Sequence, residues 1–173
     1  RANDPGSPLR LRGVLTEEEC RRQIDRAERT GFEVAPLASN RGLFIPEGRN
    51  NDRVMRDDPD LAAMLFERVK DRLPQRSGWR LVGLNERLRL YRYTTDQFFR
   101  PHSDGSFRRP NGEVSLFTFI VYLNQNFQGG ETAFKREVVK PQTVMAVVFD
   151  HKLIHESKVL RRGRKYALRS DVM

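Results

Sequence analysis

Cysteine is nearly absent from this chain of 173 residues; Cys20 is the only one. A lone thiol cannot close an internal disulfide, so no such staple holds the fold, and a reducing compartment such as the cytoplasm is compatible with the chain. Cys20 falls within Thr16-Glu-Glu-Glu-Cys-Arg-Arg-Gln-Ile24, a helical pattern in which it serves packing. No apolar run approaches the ~20 residues that span a bilayer, and none has the form of a signal-peptide core. The expectation is a soluble protein with no membrane partner. Histidine is scarce too, with His102, His151 and His155 alone, so few residues can supply imidazole chemistry. Internal repeats and low-complexity tracts are missing. The chain opens on Arg1 rather than Met, and a trimmed N-terminus is expected from that.

Charge, by contrast, is plentiful. Lys and Arg number 32 against 23 Asp and Glu, for a net charge of +9, while hydrophobic residues make up 38%. This length and composition suit one soluble domain with a real core. The positive balance favours acidic partners, whether nucleic acid, an acidic protein or an anionic small substrate. The basic residues are dispersed rather than gathered into one tract, which is also the pattern of an ordinary solvated surface.

Residues 1–13, with Asn3-Asp-Pro-Gly-Ser-Pro8, read as a loop or tail. Thr16 with Glu19 three residues later forms a capping box, and Cys20, Ile24 and Ala27 give an apolar stripe that Gly31 ends. Residues 32–36 read as a strand and turn, and 38–53 as one long polar loop, either a lid or disordered. A second helix is expected over 59–73, with Leu61, Met64, Leu65, Phe66 and Val69 as its apolar face. From residue 80 the texture changes. Short apolar or alternating runs recur at 80–93, 97–101, 114–124, 131–134, 137–140, 143–149, 154–159 and 164–172, separated by turn signals. The expected fold class is α+β, mainly β: a jelly roll over about 80–173 braced by N-terminal helices over 14–75, as one domain across 1–173.

Chemistry gathers around His102-Ser103-Asp104. A His and an Asp two residues apart project from the same side of a strand, and His155-Glu156 offers a third ligand. Two histidines and one carboxylate form the facial triad of non-haem Fe(II) oxygenases, which keeps positions open for co-substrate and O₂. In Arg87-Leu-Arg-Leu-Tyr-Arg-Tyr93, strand alternation puts Arg87, Arg89, Tyr91 and Tyr93 on one polar, aromatic face. A barrel interior holding Tyr93, Thr118, Tyr122 and Lys165 would offer a cation and hydroxyls to a buried carboxylate.

These residues sit inside longer motifs. Tyr93-Thr-Thr-Asp-Gln-Phe-Phe-Arg-Pro-His-Ser-Asp104 is followed by Tyr122-Leu-Asn124, Gly129-Gly-Glu-Thr-Ala-Phe134, Val139-Lys-Pro141 through His155-Glu156, and Lys165-Tyr-Ala-Leu-Arg-Ser-Asp-Val-Met173. In this order and spacing, from about Leu88 to Met173, the chain resembles the prolyl 4-hydroxylase-type Fe(II)- and 2-oxoglutarate-dependent dioxygenases. The resemblance implies a double-stranded β-helix and hydroxylation of a C–H bond with release of succinate and CO₂. It implies Fe(II) on His102, Asp104 and His155, and Lys165 on the far carboxylate of 2-oxoglutarate. Tyr122 and Thr118 would lie near that carboxylate, and Tyr93 near the metal end. O₂ is the other co-substrate, and many relatives use ascorbate to restore their iron. Asp96 stands where the family often has Gly, Val144 near a position where Gly is common after the Pro, and Ser115 where Arg is frequent in prolyl hydroxylases.

Within the site, His151 competes with His155, but His155 precedes Glu156 and fits the spacing to Lys165, so His151 is expected near the mouth or in a structural hydrogen bond; Arg164 and Arg169 compete with Lys165. Alternation turns Arg164 out if Lys165 points in. Candidate substrate contacts are Arg89 and Tyr91, with Arg87, or else the arginines pair with acids of their own sheet. Asn51 and Arg53, in the expected lid, and Arg169 are the others. Trp79 and Phe98-Phe99 are expected in the core. The expected substrate is a protein or peptide side chain first, then a free amino acid or other small molecule, whether acidic or not. The non-enzymatic alternative is a basic β-sandwich that binds nucleic acid or an acidic partner through a vestigial site. A nucleic acid demethylase is disfavoured because Arg164 and Arg169 miss the six-residue spacing of that group's arginines.

Overall fold

The computed structural model describes residues 6–35 and 48–173, and between them the backbone of two short strands. In chain order the strands are β1 (Leu9–Leu11), β2 (Glu33–Val34), β3 (Leu37–Ser39), β4 (Gly42–Phe44), β5 (Asp52–Asp57), β6 (Arg87–Tyr93), β7 (Phe99–His102) and β8 (Phe117–Tyr122). They continue with β9 (Gln128–Gly129), β10 (Thr132–Phe134), β11 (Val138–Val139), β12 (Ala146–Asp150), β13 (His155–Ser157), β14 (Leu160–Arg162) and β15 (Lys165–Val172). Helix α1 (Glu17–Thr30) lies between β1 and β2, and α2 (Pro59–Val69) between β5 and β6.

Both helices start where their caps require. Thr16 Oγ1 accepts from the Glu19 N–H, and the Glu19 carboxylate accepts from the Thr16 N–H. Asp58 caps α2 by accepting from the Leu61 N–H, with Pro59 in the first turn. The same Glu19 takes two hydrogen bonds from Arg68 at 2.7 and 2.8 Å, tying α1 to α2. That pairing, with the Thr16 N–H, holds its carboxyl down at about 2.

A seven-stranded antiparallel sheet runs in the order β1-β12-β8-β15-β6-β5-β2. Leu88, Leu90, Phe119, Val121 and Leu168 point to its outer face and pack on Cys20, Ala27, Leu65 and Val69 of the helices. The inner face looks toward a four-stranded sheet, β11-β10-β13-β7, across a second apolar cluster of Phe134, Val139, Val147, Phe149 and Ala167. The result is an α+β, mainly β jelly roll braced by helices. Strand β15 shows the alternation that builds it. Lys165, Ala167 and Arg169 line the inner cavity, while Tyr166 and Leu168 join the helix-side core.

Three expectations are corrected. The N-terminal tail is partly a strand: Leu9–Leu11 pairs with β12, with Leu9 opposite Val148. The single loop over 38–53 is replaced, where described, by the β3–β4 hairpin and by β5; residues 36, 40–41 and 45–47 lie outside the described residues. Strand β5 lacks apolar alternation because only Val54 is buried, and charge pairs across to β6 support it instead. Arg87 pairs with Asp57 at 3.1 Å and Arg92 with Asp52 at 3.0 Å. Finally, Trp79 is exposed, because it follows a turn at Gly78 rather than entering a strand.

Candidate active site

Strands β7 and β13 pair so that His102 lies opposite His155. That register, set by the β-ladder, brings together two imidazoles that are far apart in sequence. Each ring is oriented in the same way. His102 Nδ1 lies 2.7 Å from the Arg100 carbonyl oxygen, and His155 Nδ1 lies 2.9 Å from that of Leu153. A carbonyl only accepts, so each Nδ1 carries the proton and each Nε2 presents its lone pair. Both lone pairs face one carboxylate. His102 Nε2 lies 3.6 Å from Asp104 Oδ1, and His155 Nε2 lies 3.6 Å from Asp104 Oδ2. The three ligand atoms all lie within 4.8 Å of one another.

The surroundings keep this set ready for a cation. Burial pushes His102 down to about 4, with His155 adding to it, and burial lowers His155 as well, so both rings are neutral. Burial pushes the Asp104 carboxyl up, but Arg169 and then His155 outweigh it and hold it below its usual value. Phe99 stacks on His102 with centroids 3.5 Å apart, and Phe149 meets His155 edge-on at 4.5 Å. Neutral imidazole and carboxylate in a tripod are the donor set of an Fe(II) centre with open positions. The residues present fit that ion.

Behind Asp104 runs a buried hydrogen-bond chain. Thr118 Oγ1 donates to Asp104 Oδ2 at 2.6 Å and lies 2.8 Å from His151 Nδ1. Having spent its one proton, Thr118 accepts from the Nδ1–H of His151. His151 Nε2 then accepts from Ser115 Oγ, 2.8 Å away. The His151 carbonyl also accepts from the Asp104 N–H at 2.8 Å. His151 is thus a buried support for Asp104 rather than a member of the tripod. Thr118, expected near the inner carboxylate, lies instead at the Asp104 end; it is four residues from Tyr122 on an extended strand.

The tripod opens into a cavity of about 430 Å³ between the two sheets. At its inner end Lys165 is 3% exposed. Its Nζ donates to the Gly130 carbonyl at 2.7 Å and to Ser157 Oγ at 2.9 Å, which leaves one N–H of the ammonium for a ligand. Burial lowers it to about 7, against a smaller opposing pull from Glu131. Gly130 makes this reach possible. Its φ is +69°, and a Cβ there would come within 3.1 Å of Lys165 Cδ and of Leu160. The Tyr122 hydroxyl meets Thr132 Oγ1 at 2.6 Å beside Lys165. Tyr93, expected toward the metal, sits at the inner end too: it pairs with Lys165 across the strands, and Lys165 Nζ lies 4.8 Å from its ring centroid. The tyrosine nearer the tripod is Tyr91.

The other candidates divide. Arg164 is exposed, as alternation requires. Arg169 bridges Asp104 at 3.3 Å and Asp171 at 3.2 Å. Arg89 faces Asp171 at 3.6 Å, and Arg53 lines the outer side of the tripod with Tyr91. Asn51 does not reach the cavity. It is fully buried, and its Oδ1 accepts from Arg49 Nε at 3.0 Å. Arg87 is exposed and taken up by Asp57. Phe99 is in the core as expected, clustered with Tyr91, Tyr93 and Leu160, and it lines the site as well. Arg49 and Ser157 were missed from the sequence, though Arg49, two residues before Asn51, carried a signal; His151 makes the structural hydrogen bonds that were one of its two expected roles, with Ser115 as a partner.

Residues 88–170 match the family model described as the 2OG-Fe(II) oxygenase superfamily. Among curated proteins nothing matches the chain. Among solved structures it is similar to the viral collagen prolyl hydroxylase of Paramecium bursaria Chlorella virus-1 in its 2OG complex. The TM-score is 0.65 at 19% identity, over 95% of this chain and 94% of that one. It is also similar to the Trichoplax adhaerens prolyl hydroxylase in complex with a hypoxia inducible factor peptide (TM-score 0.69, 17% identity, 97% and 84% covered). A third similar structure is a Pseudomonas putida prolyl-4-hydroxylase (TM-score 0.61, 18% identity, 95% and 91% covered). At these identities the likeness speaks for the fold, which agrees with the motif-bearing half of the chain. That stretch carries the tripod and Lys165, so the part of the chain that bears the chemistry is the part that matches the 2OG-Fe(II) oxygenase superfamily model.

Proposed function

We propose that His102, Asp104 and His155 hold Fe(II), that Lys165 grips the distal carboxylate of 2-oxoglutarate, and that the chain hydroxylates a C–H bond. The observation that carries this reading is the convergence of two Nε2 lone pairs and the Asp104 carboxylate within 4.8 Å at the mouth of a cavity whose inner end is a buried lysine. Fe(II), 2-oxoglutarate and O₂ supply the oxidation, with succinate and CO₂ as co-products.

The protein's own residues do the rest. The Arg100 and Leu153 carbonyls fix the imidazole tautomers, and Thr118 and the His151 carbonyl fix Asp104. Lys165, with Tyr122 and Thr132 beside it, sets the direction of the co-substrate. Phe99, Ile120 and Ala167 wall the cavity against water. A protein or peptide side chain is the first substrate class, in keeping with the likeness to the Trichoplax adhaerens prolyl hydroxylase solved in complex with a peptide fragment. A small molecule is the second. All members of the set are present and aligned, which disfavours the vestigial binding module.

Anaerobic addition of Fe(II) and then 2-oxoglutarate tests this. The expected result is the visible charge-transfer band of a chelated keto acid, lost in Asp104→Ala and His155→Ala. Normal succinate formation by either variant would overturn the ligand set. In Lys165→Ala the band should need much more 2-oxoglutarate. Unchanged affinity there would pass the carboxylate to Arg169.

A further inference from the structure

On the outer side of the tripod lies a second, open cavity of about 1050 Å³. Tyr91, Phe99, His102, Asp104 and Arg169 line it as well as the inner cavity, so the two meet at the tripod. Its charge is lopsided. Arg49, Arg53, Arg89 and Arg169 face it, against Asp104 and Asp171 alone among the described residues. Asp104 would be engaged by the metal, which leaves Asp171 to serve four guanidiniums.

The pairing shows the shortfall. Asp171 takes Arg169 at 3.2 Å and Arg89 only at 3.6 Å, beyond hydrogen-bonding distance, and the buried Arg89 Nη1 has no hydrogen-bond partner. Arg49 is 3% exposed; its Nε is used by Asn51, but its Nη2 is buried and unpartnered. Its guanidinium carbon stands 4.1 Å from the Phe99 ring centroid and 5.3 Å from that of Tyr91, which fixes it at the cavity wall. Arg53 makes no ion pair among the described residues, and the cations acting on it are Arg49, Arg89 and Arg169. Like charges gathered in a half-buried site cost free energy unless an anion joins them. The planar forks of arginine suit an oxyanion with paired oxygens.

We infer that this vestibule is an oxyanion subsite: the substrate carries a carboxylate or phosphate that docks on Arg49, Arg53 and Arg89 and so places its neighbouring C–H over the tripod. The inference rests on the reading under Proposed function for what happens at the tripod, and it adds the chemical class of the substrate. An acidic side chain or a phosphorylated one qualifies; a neutral or basic segment does not.

Calorimetric titration of the full chain, loaded anaerobically with Fe(II) and 2-oxoglutarate, decides it. The probes are end-capped aspartate, end-capped phosphoserine and end-capped asparagine, the last as the neutral match. At least one acid should bind about tenfold more tightly than the amide. Arg53→Gln and Arg89→Gln should each erase most of that preference, and Arg53→Lys should restore part of it. Arg87→Gln, on the same strand as Arg89 but outside the cavity, should leave it intact. The tighter acid names the source, carboxylate or phosphate. Equal binding of acid and amide, a preference that survives Arg53→Gln and Arg89→Gln, or no acid binding at about 10 mM would overturn the inference. The charge-transfer band, recorded before each titration, separates the two failures. Its absence defeats the tripod reading, while its presence without anion preference defeats only the vestibule.

Discussion

A single proton placement decides much of this site. Because carbonyls hold the Nδ1 protons of His102 and His155, no rearrangement is needed before Nε2 can bind a cation. Thr118 does the same for Asp104. Thr118→Val, which keeps the shape and removes the donor, should weaken Fe(II) binding about 10- to 100-fold while the fold persists, as read by anaerobic metal titration. Lys165 gives a pH test. Burial lowers it to about 7 in the free protein, and a bound carboxylate favours its charged form. Affinity for 2-oxoglutarate should therefore be full below about pH 7 and fall about tenfold per unit above it, until the pKa of the complex is passed. Lys165→Arg, which stays charged, should flatten that slope. A flat profile in the unaltered protein would show that another cation holds the carboxylate.

At the scale of elements, two positions explain why the sequence could be read so far. Asp96 stands where the resembling family often has glycine and Val144 near such a position, and they are the two described non-glycine residues with positive φ, at 69° and 67°. The family glycine at Asp96 thus marked a real left-handed turn. Asp96 is exposed and tolerates that region through its short polar chain. Asp96→Gly should hold or raise the melting temperature, while Asp96→Val should cost about 1–2 kcal/mol; the reverse order would show that the turn is not strained. The tripod, Lys165 and its face were legible because alternation along β15 and the order of motifs sufficed. Strand β5 was not, because its pairing relies on charges to β6 rather than on an apolar stripe. Nor were the ends of the cavity. Thr118 and Tyr122 share a face, but only the register of β8 against β12 and β15 shows that they serve opposite ends.

For the whole molecule, the net charge of +9 and the arginine-lined vestibule act together. Solvent-facing charge is screened over about 10 Å at 0.1 M salt, whereas buried pairs are screened much less. Affinity for an acidic probe should fall steeply as salt rises, and that for 2-oxoglutarate at Lys165 should change little. Equal salt dependence would place both anions in the same environment. The helices belong to this scale as well. Leu65 of α2 is fully buried against the main sheet, and Leu65→Ala should cost about 2–5 kcal/mol in thermal or denaturant unfolding. The 2-oxoglutarate affinity of the folded fraction should stay the same, since the helices touch only the outer face.

Strand β15 carries Lys165 at one end of the cavity and Arg169, in contact with Asp104, at the other. It therefore works as a ruler. Its marks fall on alternate residues, roughly 6.6 Å apart, and an extended strand has no finer graduation. Held between neighbours on both sides, β8 and β6, it cannot slide to suit its contents. A keto acid one carbon shorter or longer than 2-oxoglutarate falls between marks, and selectivity for co-substrate length follows from the pitch of the backbone.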